Sequence, residues 1–315
     1  MYSMGFDTSG YTTSLAVVNH NGELLIDERI LLEVKPGDKG LRQSKAVFQH
    51  MKNVPLLLET AGNNFDFKKT SCISVSVKPR PAENSYMPVF KVGESYALSF
   101  SRLLGVPLYP TTHQEGHIWA GLFSVQEHPA DFLVLHISGG TTELMKVNKE
   151  SQALTLDMIG GSSDLPLGQF IDRVGVKLGL SFPCGPSLEK LARESRNPIP
   201  IPVSIKGCWT SFSGPLSHVE RLMSSSIIEP WDLARGIEIC AINSLVAVLK
   251  QGIRETGIKE VMIVGGVGSN VFIRQQLEIR LPECRFYFAG SKLSSDNAVG
   301  ISYYGLIRNV LYKLQ

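Results

Sequence analysis

"SMGFDTSGYTTSLAVVNHNGELLIDERILLE" (residues 3–33) reads as an apolar strand, a polar turn of small hydroxyl residues, a second strand, an Asn-Gly hairpin turn and a third strand. "DFLVLHISGGTTELMKVNKESQALTLDMIGG" (131–161) repeats that order: strand, glycine/threonine turn, strand, a turn at "NKES" (148–151), strand. The two stretches share a pattern and little residue identity, so the signal is a weak internal repeat of organisation. It divides the chain into domains at 1–128 and 129–315. The second carries a Pro-, Ser- and Gly-rich stretch near 196–230 that reads as an irregular insertion. The last helix is a candidate to pack back on the first domain.

Between the hairpins the periodicity predicts a helix over 44–62, broken or kinked at Pro55, and a strand at 71–79. A helix over 92–105 should close on Gly105 in the left-handed region. A short strand at 106–112 follows. Later come a long apolar-faced helix over 231–257, a buried strand ending in "GGVGSN" (265–270), a helix, a strand, and a final serine-initiated helix with Asp296 and Asn297 near its start.

Three glycine turns share one physical logic. "DTSGYTTS" (7–14) and "SGGTTE" (138–143) each join two strands, and their small residues let backbone N–H groups close on an anion. "GGVGSN" joins a strand to a helix, where the backbone can approach a flat ligand and the helix N-terminus favours negative charge. A repeated hairpin followed by a late strand–glycine–helix turn matches the actin/sugar-kinase/Hsp70 (ASKHA) architecture. The expected fold is therefore α/β, two actin-like domains with a nucleotide and metal cleft between them.

The whole chain bounds the partners. Its 315 residues are 43% hydrophobic and 19% charged, with formal net charge +2. That balance neither demands nor excludes nucleic acid. Five cysteines without a CxxC pair fit reduced thiols better than a disulfide framework. An Asp at position 7 argues against a signal peptide, and no apolar run approaches the ~18 residues that span a bilayer. The expectation is a cytoplasmic protein with no membrane partner.

In "TTHQEGHIWAG" (111–121), His113 and His117 lie four apart, on one face of a helix, where two imidazoles can share a metal ion. A polar pair on a helix flank is the plainer alternative.

Six motifs in order resemble the TsaD family, formerly called glycoproteases. They are "THQEGHIWAG" (family pattern NHxEGHI), "ISGGTTEL" (VSGGHTEL), "LPLGQFIDRVGVKLGLSFPCGPSLEKLA" (AAGEAFDKVAxLLGLxYPGGPxIEKLA), "SFSGPLSHV" (FSFSGLKTAV), "GGVGSN" (GGVxAN) and "SSDNAVGI" (CTDNAAMI). The resemblance implies synthesis of threonylcarbamoyladenosine in tRNA. A threonylcarbamoyl group would pass from threonylcarbamoyl-AMP to N6 of the adenosine beside the anticodon. It implies one divalent metal ion, iron or zinc, on His113, His117 and Asp296, with His136 as a further candidate ligand. It implies an adenylate (threonylcarbamoyl-AMP, or ATP/AMP) at Asp172, Gly185, Glu189 and Asn270, with Ser138, Gly139 and Gly140 on the phosphate side. No covalent nucleophile stands out. The implied partners are tRNA, a smaller homologous actin-like (TsaB-like) subunit and a TsaE-like ATPase.

The departures are specific. The family's ETSCDET is "DTSGYTTS", with Tyr11 and Thr12 where the acidic pair stands. Its GPGL turn is "KPRPAENSYMPVF" (78–90), and GGVVPELASRxH is "KGLRQSKAVFQH" (39–50), which keeps His50. The SGGH histidine is Thr141, Gly168–Gln169 stand for GE, Asp164 alone remains of a DD pair, and Cys184 replaces the first glycine of GGP. This is the pattern of a diverged bacterial paralogue. Two further hypotheses are a metal-dependent carbamoyltransferase acting through an adenylate on another, small-molecule acceptor, and a non-catalytic paralogue that scaffolds a modification complex. Tyr11, Lys78, Arg80 and Lys91 are candidate RNA contacts, with solvated surface as their plainer fate.

Overall fold

The computed structural model describes residues 1–34, 41–125, 129–150, 153–225, 227–290 and 292–312. β1 (Tyr2–Asp7) and β2 (Thr12–Asn19) form an antiparallel hairpin, and β3 (Leu24–Leu31) pairs antiparallel with β2. Every residue of β2 is buried, as expected for a strand covered on both faces. α1 (Gln43–Gly62) leads to β4 (Cys72–Lys78), parallel to β1. α2 (Phe90–Leu104), closed by Gly105 at φ 66°, leads to β5 (Leu108–Thr112), parallel to β4. The sheet order is β3-β2-β1-β4-β5. α3 (His113–Ser124) follows β5 directly.

The pattern then recurs. β6 (Asp131–Ile137) and β7 (Thr142–Glu150) pair antiparallel, and β8 (Ala153–Ser162) lies beyond β7. Of the expected turn at 148–151, Asn148 to Glu150 end β7, and Ser151 lies outside the described residues. α4 (Leu167–Lys177), α5 (Gly185–Ala192), the short strands β9 (Ser204–Lys206) and β10 (Trp209–Ser211), α6 (Ser213–Ser225) and α7 (Pro230–Thr256) precede β11 (Glu260–Val264), which is parallel to β6. α8 (Val271–Arg280) connects to β12 (Arg285–Phe288), parallel to β11, and α9 (Val299–Tyr312) ends the described chain. The second sheet runs β12-β11-β6-β7-β8-β10-β9. Its segment β8-β7-β6-β11-β12 has the connectivity of β3-β2-β1-β4-β5. The repeat seen in the hairpins thus extends to five strands, and the fold is the actin-like α/β architecture.

Contacts divide the chain into two units, residues 1–128 with 151–154 and 290–315, and residues 129–150 with 155–289. The first core joins Met4, Phe6, Leu15 and Ile73 of its sheet to Val54, Leu57 and Ala97 of α1 and α2. The second joins Leu133, Leu135 and Ile263 to Leu245, Val248 and Leu249 of α7. The terminal helix α9 packs on α3, β1 and β4 within the first unit. Its approach to α3 needs glycine: a Cβ on Gly300 would stand 1.9 Å from the Gly116 carbonyl oxygen and 2.4 Å from the Ala120 nitrogen. Ser302 of α9 donates to the Ser3 carbonyl and accepts from the Val18 N–H, tying the helix to β1 and β2.

Three local expectations change. α1 runs unbroken through Pro55. A proline there removes the donor to the Met51 carbonyl, and the Tyr96 hydroxyl of α2 donates to that carbonyl instead, at 3.3 Å. The stretch 196–230 contains β9, β10 and α6 rather than only irregular chain. Gly207 at φ 61° turns the small hairpin, Pro215 falls in the first turn of α6, and Leu216 and Val219 bury that helix's apolar face. α9 begins at Val299, where the Asn297 carboxamide oxygen, not a serine, accepts the first N–H. Among the described residues no helix is long and apolar enough to cross a membrane.

Candidate functional site

The sequence "TTHQEGH" starts α3 in a defined way. Thr112 is the N-cap: its hydroxyl accepts from the Glu115 N–H, while the Glu115 carboxylate accepts from the Thr112 N–H at 2.9 Å. This capping box fixes the first turn and occupies the Glu115 carboxylate. His113 is the first helical residue and His117 sits one turn on, so both rings face the same way, with centroids 4.5 Å apart.

The loop before α9 brings Asp296 to the same place. His113 Nε2 and His117 Nε2 are 3.1 Å apart, and Asp296 Oδ1 lies 3.6 and 3.4 Å from them. Those edges leave a point about 2 Å from all three atoms, the bond length of zinc or iron(II) to imidazole and carboxylate. Two nitrogens and one oxygen are a donor set suited to either metal, with positions left for a substrate. Among the described residues, His113, His117 and Asp296 are the group whose ligand atoms all lie within 4.8 Å of one another. Histidine, histidine and aspartate thus fit a divalent ion in distance and chemistry.

Behind His113 stands a residue that spacing did not reveal. Asp7, at the end of β1 and fully buried, accepts from His113 Nδ1 at 3.0 Å. The Ser9 hydroxyl donates to Asp7 Oδ2 at 2.8 Å, and the Ser76 hydroxyl of β4 donates to Oδ1. An ionised carboxylate only accepts, so the proton stays on Nδ1 and Nε2 faces the other ligands. A carboxylate placed behind a histidine in this way is the support that a metal-binding imidazole takes where an ion is bound. Burial pulls the His113 pKa down, but the charge of Asp7, its hydrogen bond and the charge of Asp296 outweigh that and raise it to about 9. A cation arriving near neutral pH therefore displaces a proton. Three hydroxyls of the stretch 7–14 are occupied internally. Thr8 donates to the Val89 carbonyl, Ser9 to Asp7 and Ser14 to the Asp7 carbonyl.

The segment 78–90 adjoins the start of α3, since the Pro79 carbonyl accepts from the Gln114 N–H at 3.0 Å. Lys78 donates to the Ala82 carbonyl, Lys91 pairs with Glu94, and Tyr11 is exposed.

The remaining sequence candidates lie in the second unit. His136 is buried on β6, in register with Val264 and Glu143. Ser138, Gly139 and Gly140 form the β6–β7 turn, where a Cβ on either glycine would meet nothing within 4 Å. Asp172 of α4 accepts the Cys184 N–H at 2.7 Å, which locks the entry to α5 at Gly185. Burial pushes the Asp172 pKa up against that bond. Glu189 of α5 accepts from the Val271 N–H and from Arg193. Asn270 caps α8, its oxygen accepting from the Ile273 N–H, while its Nδ2 donates to Glu238 at 2.9 Å. Asp172, Gly185, Glu189 and Asn270 are thus joined along one run of contacts.

Glu238 was not singled out from the sequence. It is 2% exposed, its second oxygen is 2.6 Å from Arg235, and that guanidinium lies over the Phe272 ring. Burial raises its pKa against the Asn270 hydrogen bond and the Arg235 charge. A glutamate on the apolar face of α7 with an arginine three residues before it was the available signal.

Comparison with known proteins gives the family. The family model described as TsaD, tRNA N6-adenosine threonylcarbamoyltransferase, matches residues 34–303. A protein of that name from Methanopyrus kandleri is 26% identical over 98% of this chain and 87% of its own length. The one from Bacillus licheniformis is 28% identical over 98% and 92%. Among solved structures, full-length HypF, in a phosphate- and nucleotide-bound form, aligns at TM-score 0.61 with 13% identity, over 99% of this chain and 46% of its own. A Streptococcus pneumoniae ROK family protein aligns at 0.58 with 12% identity over the whole of both chains. These structural likenesses speak to the actin-like fold alone.

Proposed function

The chain belongs to the TsaD family of tRNA N6-adenosine threonylcarbamoyltransferases, and on that premise we propose that it moves a threonylcarbamoyl group from threonylcarbamoyl-AMP to N6 of the adenosine beside a tRNA anticodon, with a divalent ion, iron or zinc, on His113, His117 and Asp296. The observation that carries the reading is the ligand set itself: two imidazole nitrogens and a carboxylate oxygen with mutual distances of 3.1 to 3.6 Å, backed by buried Asp7. The bound ion would supply charge to orient and polarise the acyl group. Asp7 holds the proton at His113 Nδ1 and keeps Nε2 directed at the ion. The Thr112–Glu115 box keeps the two histidines in one turn.

In the transfer, the N6 nitrogen forms a bond to the carbamoyl carbon, the carbon–oxygen bond to phosphate breaks, AMP leaves and N6 loses a proton. An amine acceptor needs no enzyme nucleophile. The adenylate is assigned to the second unit, to Asp172, Gly185, Glu189 and Asn270, with the Ser138–Gly140 turn toward its phosphate. Carboxylates suit paired ribose hydroxyls, and the open turn offers backbone N–H groups to an anion. A smaller actin-like subunit and an ATPase are the partners to supply in a test.

The decisive assay incubates the protein and these partners with threonylcarbamoyl-AMP and unmodified tRNA, then reads the nucleosides by mass spectrometry. Modified adenosine is expected. AMP release without it would mean a different acceptor. His117→Ala should fold and lose its metal; full metal occupancy in that variant would remove the metal from the proposal.

A further inference from the structure

Asp296 is the one ligand of the three that stands on a loop. The chain passes from the second unit to the first at residues 289 and 290, so this ligand lies a few residues beyond the junction. What fixes it comes from the far edge of the first sheet. Asp27 and Arg29 are two apart on β3, hence on one face. Asp27 grips the Arg29 guanidinium with both oxygens, at 2.8 Å to Nε and 2.6 Å to Nη2. The remaining Nη1 donates into the loop: to the Lys292 carbonyl at 2.8 Å, the Ser295 hydroxyl at 3.0 Å and the Asp296 carbonyl at 3.4 Å.

Asn297 secures the same loop from the other side, donating to the Leu293 and Ser295 carbonyls while its oxygen caps α9. The backbone of the ligand is thereby pinned at its own carbonyl. A planar fork that spends one edge on a carboxylate and the other on a loop is a use of arginine that lysine cannot copy.

We propose that the Asp27–Arg29 pair is a positioning device for the metal centre, holding the Asp296 backbone so that its carboxylate stays with His113 and His117. The inference rests on the metal reading above and goes beyond it, because neither residue touches the ion. Without Arg29 the loop keeps its Asn297 anchor and loses three donor contacts. Asp296 then spends part of its time away from the imidazoles, and the cost appears as metal affinity rather than as loss of the fold.

The test measures zinc affinity by chelator competition in the full-length protein. Supporting contacts to metal ligands are worth about 10- to 100-fold in affinity, and a loss of that size is expected for Arg29→Gln. Arg29→Lys should fall between, since it keeps the charge near Asp27 with one point donor. In an Asp296→Ala background, Arg29→Gln should cost less than about twofold more, because its target is gone. In metal-free protein, hydrogen exchange across 292–297 should rise in both Arg29 variants.

Wild-type zinc affinity in Arg29→Gln would overturn the proposal. So would an equal loss with and without Asp296, or unchanged exchange in the loop. If Arg29→Gln fails to fold, Arg29→Lys carries the same three readouts. Failure of the metal reading looks different: wild type and His117→Ala would bind zinc equally poorly, and the positioning role would fall with it.

Discussion

Acidification isolates one buried group of the first unit, His50 of α1. Its ring is fully buried, and Nδ1 lies 2.8 Å from the Thr13 hydroxyl of β2. Asn53 donates to that hydroxyl at 3.1 Å. Nε2 has no hydrogen-bond partner among the described residues. Burial lowers the pKa from 6.5 to about 4 although the charge of Asp7 pulls the other way. In the unfolded chain the ring takes up a proton near pH 6.5; in the folded chain it does so only near pH 4. Between those values the unfolded state binds more protons, so stability falls as pH falls through that window and is fully retained above it. At 1.36 kcal/mol per unit, the gap is worth about 3 kcal/mol.

The assay is urea denaturation at pH 7 and pH 4 of the parent and of His50→Gln. It is followed by the fluorescence of buried Trp119 with Trp209 and Trp231 replaced by phenylalanine. Other groups titrate in both chains and cancel in the difference. The parent should lose about 3 kcal/mol more than His50→Gln between the two pH values. Parallel losses would refute the assignment of His50 as a buried neutral imidazole.

Three further outcomes follow from single contacts. Asp7→Asn should leave the fold intact and weaken zinc binding about 10- to 100-fold, because the carboxylate that fixes the His113 tautomer is lost; chelator competition measures it. Gly300→Ala places a methyl carbon against the Gly116 carbonyl, where two helix backbones meet and neither can yield. A cost of about 3 kcal/mol or more is expected in thermal denaturation, with weaker zinc binding as α3 and α9 separate. Tyr96→Phe removes the donor that serves the Met51 carbonyl opposite Pro55, and should cost about 1 kcal/mol with no change in metal affinity.

The sequence carried the fold further than the site. Strand–turn–strand hairpins at 3–33 and 131–161 announce themselves because alternation and turn residues are local signals, and the order of the remaining strands follows the same repeat. α6 escaped notice because Pro215 and Gly214 read as loop residues, yet both sit in its first turn, where proline costs no hydrogen bond. Pro55 looked like a break because the residue that satisfies its orphaned carbonyl, Tyr96, belongs to another helix.

The site divides along the same line. His113 and His117 are visible as a pair because helical periodicity makes them neighbours. Asp296 joins them only through the resemblance of "SSDNAVGI" to a family motif, since no local rule connects it to α3. Asp7, Ser76 and Arg29 act across 106, 69 and 263 residues of chain, on His113, Asp7 and the Lys292 carbonyl. No spacing rule reaches that far. Each instead sits on a strand of the first sheet, so the sheet order brings them together. The residues around the His113, His117 and Asp296 cluster are therefore a property of topology: β1 delivers Asp7, β4 delivers Ser76, β3 delivers Arg29, and the order β3-β2-β1-β4-β5 fixes where each arrives. A departure such as Tyr11 in the β1–β2 turn and Thr12 at the start of β2 leaves that arrangement in place, because the contacts behind His113 run through Asp7 to the hydroxyls of Ser9 and Ser76.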